Sequence, residues 1–241
     1  MRRRYLCGAF VGVLVIAAAL SATAGGAAPN VRHDPIHRIT NSTSTNWSGY
    51  AVTGSRFTSV SSSWTEPTVT CSGTAYSSFW VGLDGDTSGT VEQTGTDADC
   101  SGSTPQYYAW YEMYPKFPTN LKGTVRPGDH LSASVTTNGS GSFTLTISDS
   151  TQGWTNTTNA RLKSATLASA EVIAEAPSSR SGVLPLANFG TVSFSGATAN
   201  GSLLTSSTPN IDPITMASGS TVKAQPSSIS SGAFSVTWKH S

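Results

Sequence analysis

The chain has 241 residues, of which 11% are charged, with a formal net charge of +1. Ser and Thr supply 72 residues and Gly another 23. That balance excludes a charge-driven disordered chain and a long Glu-, Lys- and Ala-rich helical protein. It offers no basic surface suited to nucleic acid.

In chain order, Arg2-Arg3-Arg4 precedes an apolar run from Ala9 to Leu20, and Ala22-Thr23-Ala24 has the small-x-small form of a cleavage site. This pattern predicts a secretory signal peptide over residues 1–24 and an extracellular, secreted product. The apolar run is too short for a good membrane span. Residues 25–45 read as a short pro-segment or flexible tail, whose Arg32, His33, His37 and Arg38 could pair with an acidic groove at neutral pH and let go in acid, when its carboxylates protonate. The body beyond residue 40 keeps nine Lys and Arg against twelve Asp and Glu, a net of −3.

From Asn46 onward the pattern is one of strands and turns, and residues 46–241 read as one β domain. Cys71 and Cys100 are expected to pair in an oxidising compartment. In Ser78–Gly85, alternation sets Trp80, Gly82 and Asp84 on one face and Phe79, Val81 and Leu83 on the other, the core side. In Val91–Asp97, Gln93 shares a face with Val91 and Gly95. Tyr107–Pro115 holds five aromatic residues, with Trp110, Glu112 and Tyr114 on one face. Such a strand is either core or the wall of a cleft, and the carboxylate among the rings favours a cleft. His130–Thr136 and Ser142–Ser148 alternate around Asn138-Gly139-Ser140-Gly141, which marks a hairpin. The second half of Leu162–Ala176 reads as a strand carrying Glu171 and Glu175 on one side. A carboxyl group among apolar neighbours has a raised pKa and is a general acid/base candidate. Phe234, Val236 and Trp238 close the chain with another alternating strand. Short strands with Ser, Thr and Gly turns predict an all-β antiparallel sandwich of two large sheets, a jelly roll.

Other chemistries lack their residues. The body has only His130 and His240, with no G-x-S-x-G elbow for a serine triad. No HExxH or His/Cys ligand cluster suggests zinc, so no metal or cofactor is expected.

Taken together, these blocks resemble the G1 glutamic peptidases, or eqolisins. The resemblance runs from Asn46-Trp47-Ser48-Gly49 through Phe79–Gly85, Gln93-Thr94-Gly95, Ala109–Pro115 and Ala170–Glu175 to Phe189–Val192. It implies a concanavalin-like sandwich with a catalytic dyad, Gln93 and Glu175, on one concave face. Glu175 would activate water as general base and Gln93 would stabilise the oxyanion, in acid and without a metal. The resemblance also implies that Trp47, Trp80, Trp110 and Tyr114 line the substrate groove. Asp84, Asp97 and Glu112 would form its polar shell, touching substrate or supporting residues that do, with Glu171 as a neighbour. The chain departs from the fungal pattern in its cysteine positions, its shorter leading segment and the Ala176-Pro177 that follows Glu175.

The expected activity is thus a secreted acid endopeptidase, a monomer acting on polypeptides with no nucleic acid and, after leader removal, no membrane. Aromatic grooves with carboxylates also suit a secreted β-sandwich glycosidase or glycan-binding module. That alternative pairs two carboxyl groups about 5–5.5 Å apart, whereas the dyad requires Glu175 to face Gln93. A catalytically silent adhesion domain would need neither.

Overall fold

The computed structural model describes residues 30–54 and 56–241, so the leader expected over 1–24 lies outside them. No helix occurs among the described residues. The strands begin with β1 (Arg38–Thr40), β2 (Thr43–Ser44), β3 (Trp47–Thr53), β4 (Ser59–Thr65), β5 (Ser78–Leu83), β6 (Val91–Ser101) and β7 (Thr104–Tyr114). They continue with β8 (Thr119–Asn120), β9 (His130–Thr137), β10 (Ser142–Asp149), β11 (Trp154–Arg161), β12 (Ser169–Glu175), β13 (Ser178–Ser179) and β14 (Gly182–Val183). The last are β15 (Thr191–Ala199), β16 (Ser202–Leu203), β17 (Ile211–Ser218), β18 (Thr221–Pro226) and β19 (Phe234–Trp238).

Two antiparallel layers result. One runs β17-β3-β12-β5-β6-β7-β8. The other runs β17-β18-β19-β15-β4-β9-β10-β11. Strand β17 belongs to both: Ile211–Ile214 pair with β3, and Met216–Ser218 pair with β18. Short β2 lies parallel to it through Thr43 and Ser44.

Alternation builds the core. Phe79, Val81 and Leu83 of the first layer meet Leu131, Ala133, Val135, Phe143, Leu145 and Ile147 of the second, all buried. Each large apolar side chain removed from water in this way stabilises the fold by about 1.5–3 kcal/mol. The opposite face of β10 and β11 is wet. There Thr144 bonds Asn159, Thr146 bonds Thr157 and Ser148 bonds Thr155 across the strands. This explains the abundance of Thr and Ser, since β-branched Thr suits a pleated surface.

Two carboxyl groups interrupt the apolar interior. Glu92 shares its face of β6 with Thr94, Thr96 and Ala98, opposite Leu83 and Met113 of the neighbouring strands. Glu66 accepts from Thr96 Oγ1 at 2.6 Å and Trp64 Nε1 at 3.3 Å. Burial pushes Glu66 up to about 8 and Glu92 up to about 9. The disulfide Cys71–Cys100 ties the loop between β4 and β5 to the far end of β6.

Candidate functional site

The face of the first layer turned away from the core carries nearly all the residues singled out in the sequence. Register arranges them in rows across β3, β12, β5, β6 and β7. One row reads Trp47, Glu175, Ser78, Asp97, Tyr108. The next reads Gly49, Ile173, Trp80, Gly95, Trp110, and the third Ala51, Glu171, Gly82, Gln93, Glu112. Glu175 and Gln93 therefore project from the same face, two strands and two rows apart, with Trp80 between them. Two strand spacings contribute about 10 Å across the sheet and two rows, four residues along the strands, about 13 Å.

Glycine makes room for that tryptophan. A Cβ on Gly95 would lie 2.2 Å from Phe79 O and 2.5 Å from Trp80 Cβ, and one on Gly82 would lie 2.9 Å from the Trp80 ring. Without a Cβ at either position, the indole packs over Gly82, with Trp47 meeting it edge-on at 5.0 Å between centroids. Trp80 Nε1 donates to Glu175 Oε2 at 2.8 Å, and Asn46 Nδ2 reaches Oε1 at 3.4 Å. Burial raises the Glu175 carboxyl well above its ordinary value, and Asp34 and Glu112 add to the rise against the pull of His33.

Asp97 anchors the other end of the site. Its oxygens meet Ser78 Oγ at 2.6 Å, Trp110 Nε1 at 2.7 Å and Tyr108 Oη at 2.7 Å. Tyr108 Oη also lies 2.7 Å from Asp99 Oδ2. One hydroxyl proton cannot serve both carboxyl groups, so one of them is itself a donor. Asp99 is that group, because burial and the adjacent Asp97 hold it well above its ordinary value.

Over this face lies the chain's own segment Asn30–His37. The His33 ring stacks on Trp110, 3.6 Å between centroids and 2° from parallel. Its Nδ1 is 3.0 Å from Glu112 Oε2 and its Nε2 3.1 Å from Asp97 Oδ1. Burial alone would lower the imidazole, but Asp97 and then Glu112 reverse that and hold it well above its ordinary value. An acidic oxygen at each nitrogen favours the protonated imidazole. The backbone is held as closely. His33 N donates to Glu112 Oε2 at 3.0 Å, and Gln93 Nε2 donates to His33 O at 2.7 Å. Trp47 Nε1 donates to Asp34 O at 3.0 Å, and Asn46 Nδ2 donates to Pro35 O at 3.1 Å. Arg32 and Ser178 exchange two backbone hydrogen bonds. Arg38 then closes on Asp86 and Asp212.

The structure brings together Trp47, Trp80, Gln93, Asp97, Trp110, Glu112 and Glu175, with half-buried Tyr114 packed at the margin. Asp84 does not join them. At φ +68° it turns off the end of β5, so the alternation that aligned it with Trp80 and Gly82 breaks there. Its oxygens accept instead from Thr166 N and Oγ1, Leu167 N and Ala168 N at 2.6–2.8 Å. Glu171 lies on the same face as Glu175, but toward Asp84, Asp86 and Glu92. Burial, reinforced by those neighbours, raises it well above its ordinary value. Sequence reasoning missed Asn46, Tyr108 and Asp99 as parts of this constellation, while His33 was read as one of four cations able to pair with an acidic groove, as it does here with Asp97 and Glu112. Asn46 stands at the head of the Asn46–Gly49 block, and that was the signal available for it. For His33 the signal was charge alone and named no partner, since its partners lie 60 to 79 positions away. Among the described residues, no group of three or more His, Cys, Asp and Glu is arranged to hold a metal ion.

The geometry can be set beside known proteins. A family model described as the Peptidase A4 family matches residues 45–238. Scytalidopepsin B from Scytalidium lignicola is 37% identical over 110 residues, 45% of this chain and 41% of that protein. Aspergillopepsin-2 from Aspergillus niger is 30% identical over 181 residues, 65% of this chain and 64% of that protein. The chain thus spans less than two thirds of the length of either curated relative. Among solved structures, scytalido-glutamic peptidase with a transition state analog inhibitor aligns at a TM-score of 0.70 and 26% identity, over 81% of this chain and 98% of that one. Aspergilloglutamic peptidase from Aspergillus niger aligns at a TM-score of 0.62 and 28% identity, over 68% of this chain and 99% of that one. The family match across almost all of the β domain, on a shared sandwich, means that this chain belongs to the Peptidase A4 family, the glutamic peptidases or eqolisins.

Proposed function

We propose that the protein is a secreted acid endopeptidase that hydrolyses peptide bonds through Gln93 and Glu175. One observation carries this reading: the chain's own residues 32–36 lie over this face, with the His33 carbonyl 2.7 Å from the Gln93 amide and Asn46 linking the Pro35 carbonyl to Glu175. A substrate carbonyl held there becomes more negative as water adds to it, and a neutral carboxamide donor stabilises that charge at any acidic pH. Glu175, as carboxylate, takes the proton of the attacking water and returns it to the leaving amine. Trp80 Nε1 holds one of its oxygens in place while the other accepts from Asn46. The steps written with these side chains need no metal.

The raised pKa of Glu175 belongs to the covered face, since burial is its largest cause. Uncovering the groove returns the carboxyl toward its ordinary range, where it is ionised in mild acid. The glycosidase alternative finds less support, because the hydrogen-bond partners of Glu175 are Trp80 and Asn46 rather than a second carboxyl group.

The test is cleavage of denatured casein from roughly pH 2 to 7, across the carboxylate and histidine titrations, with pepstatin and EDTA present. Acid cleavage that resists both inhibitors is expected. Gln93→Ala should reduce it on the order of 100–1000-fold, as loss of an oxyanion donor does. Glu175→Gln should abolish it. Cleavage that survives Glu175→Gln would assign the chemistry to other residues.

A further inference from the structure

We propose that Asp99 is a positioning residue for the substrate: through the Tyr108 hydroxyl it holds Asp97 as an acceptor facing the groove, and it does so only while it carries a proton. This rests on the peptidase reading of Gln93 and Glu175 and names a residue that governs binding at the same site.

Strand geometry sets the trio. Asp97 and Asp99 are two residues apart on β6 and share its groove-side face, with Ala98 turned to the core between them. Residues spaced in this way lie about 7 Å apart along a strand. Tyr108 stands opposite Asp97 on β7 and diagonal to Asp99, and an aromatic side chain spans such a diagonal. Its hydroxyl meets both carboxyl groups at 2.7 Å. All three side chains are buried.

An ionised carboxylate offers about four lone-pair positions. On Asp97, Ser78, Trp110 and Tyr108 fill all but one of them. The remaining one meets the occupant of the groove, here His33 Nε2 at 3.1 Å. Tyr108 gives its single proton to Asp97 only if Asp99 supplies one to the phenol oxygen. Burial and the two carboxyl groups hold the Tyr108 hydroxyl well above its ordinary value, so the phenol keeps its proton. Once Asp99 ionises, two carboxylates compete for one hydroxyl away from water, and like charges so placed repel. One of them has to swing aside, and the aim of Asp97 into the groove is lost. Among the described residues, the Asp99 carboxyl group bonds only Tyr108 and the Ser77 N–H. Other titratable groups face the trio from several sides. They are His33 over the groove, Glu112 on β7 beyond it, Glu66 past the end of β4 and Tyr76 ahead of β5.

The experiment measures KM and kcat for one casein-derived peptide from roughly pH 3 to 7, on wild type, Asp99→Asn, Asp99→Ala and Tyr108→Phe. Each is repeated on a His33→Gly background, where no imidazole competes for Asp97. The carboxamide of Asp99→Asn donates to Tyr108 as the protonated carboxyl group does, but it cannot ionise. The expected result is a KM that rises with pH in wild type and stays level in Asp99→Asn, the two chains agreeing at the acid end. Asp99→Ala and Tyr108→Phe should raise KM about tenfold even in acid, as loss of a hydrogen bond to a charged group does, with kcat changed far less. An Asp99→Asn chain that follows the wild-type rise in KM overturns the proposal, as does an Asp99→Ala chain with the wild-type KM. A loss confined to kcat overturns it too. So does a difference between wild type and Asp99→Asn that vanishes on the His33→Gly background, since Asp99 then acts on the covering segment alone. If Asp99→Ala fails to fold, the comparison of Asp99→Asn with wild type decides. Absence of peptide and casein cleavage by every chain overturns the peptidase reading itself, and the positioning role with it.

Discussion

Trp80 does two things at once. Its ring separates Glu175 from Gln93 on the sheet face, and its N–H fixes the Glu175 carboxyl group. A donor to a carboxylate favours the charged form and lowers its pKa. Trp80→Phe keeps most of the ring and removes that donor, so the Glu175 titration should move to higher pH. A hydrogen bond to a charged group contributes about 1.5 kcal/mol or more, and 1.36 kcal/mol corresponds to one pKa unit. The acidic limb of the kcat profile should therefore shift upward by about one pH unit, measured on a peptide substrate. An unshifted limb with reduced kcat would mean that Trp80 packs without tuning Glu175.

Strands were the most legible elements in the sequence, because burial on one side writes a period of two. The β9–β10 hairpin, with Leu131, Ala133, Val135, Phe143, Leu145 and Ile147 inward, could be read from that period and its Gly-rich turn. So could Phe79, Val81 and Leu83 against Trp80. The second half of Leu162–Ala176 is a strand as expected, since Glu171 and Glu175 face one way and Val172 and Ala174 the other. Alternation fails where the backbone leaves the strand region, as at Asp84. It is also silent about contacts between distant segments, so charge could suggest His33 for an acidic groove but not place it in its slot against Trp110. Pairing of Cys71 with Cys100 followed from compartment and count. Their separation of 29 residues corresponds to roughly 3–4 kcal/mol of stability in the chain-entropy model. Reduction should lower the urea midpoint accordingly without unfolding the sandwich in mild acid, as a titration with and without reductant would measure.

At the scale of the whole molecule, the interior carboxyl groups make folding depend on pH. Glu66 and Glu92 are raised from an ordinary 4.5 to about 8 and about 9. For a raised pKa, the folded state binds more protons than the unfolded chain across the interval between the two values. Stability from the neutral form is thus complete below about pH 4.5 and is lost as pH rises through 8 to 9. The loss approaches about 1.4 kcal/mol per pH unit for each group. The fold should be stable in acid and labile in mild alkali. Glu66→Gln cannot ionise, and its amide oxygen can still accept from Thr96 and Trp64. It should melt close to wild type at pH 4 and clearly higher at pH 8, read from thermal scans at both. A melting difference of the same size at both pH values would refute the titration account.

Strand β17 passes from one layer to the other at Ile214–Met216. Two stacked sheets held only by side chains could slide or part as separate bodies. Here a continuous main chain is hydrogen-bonded into both, so they cannot separate until its ladder is broken on one side. The sandwich is thereby a single cooperative unit, and cheap local opening is confined to its margins. The covering segment, which joins β17 through two-residue β2 and through Arg38 on Asp212, sits at such a margin. It can detach while the rows of side chains beneath it keep their spacing.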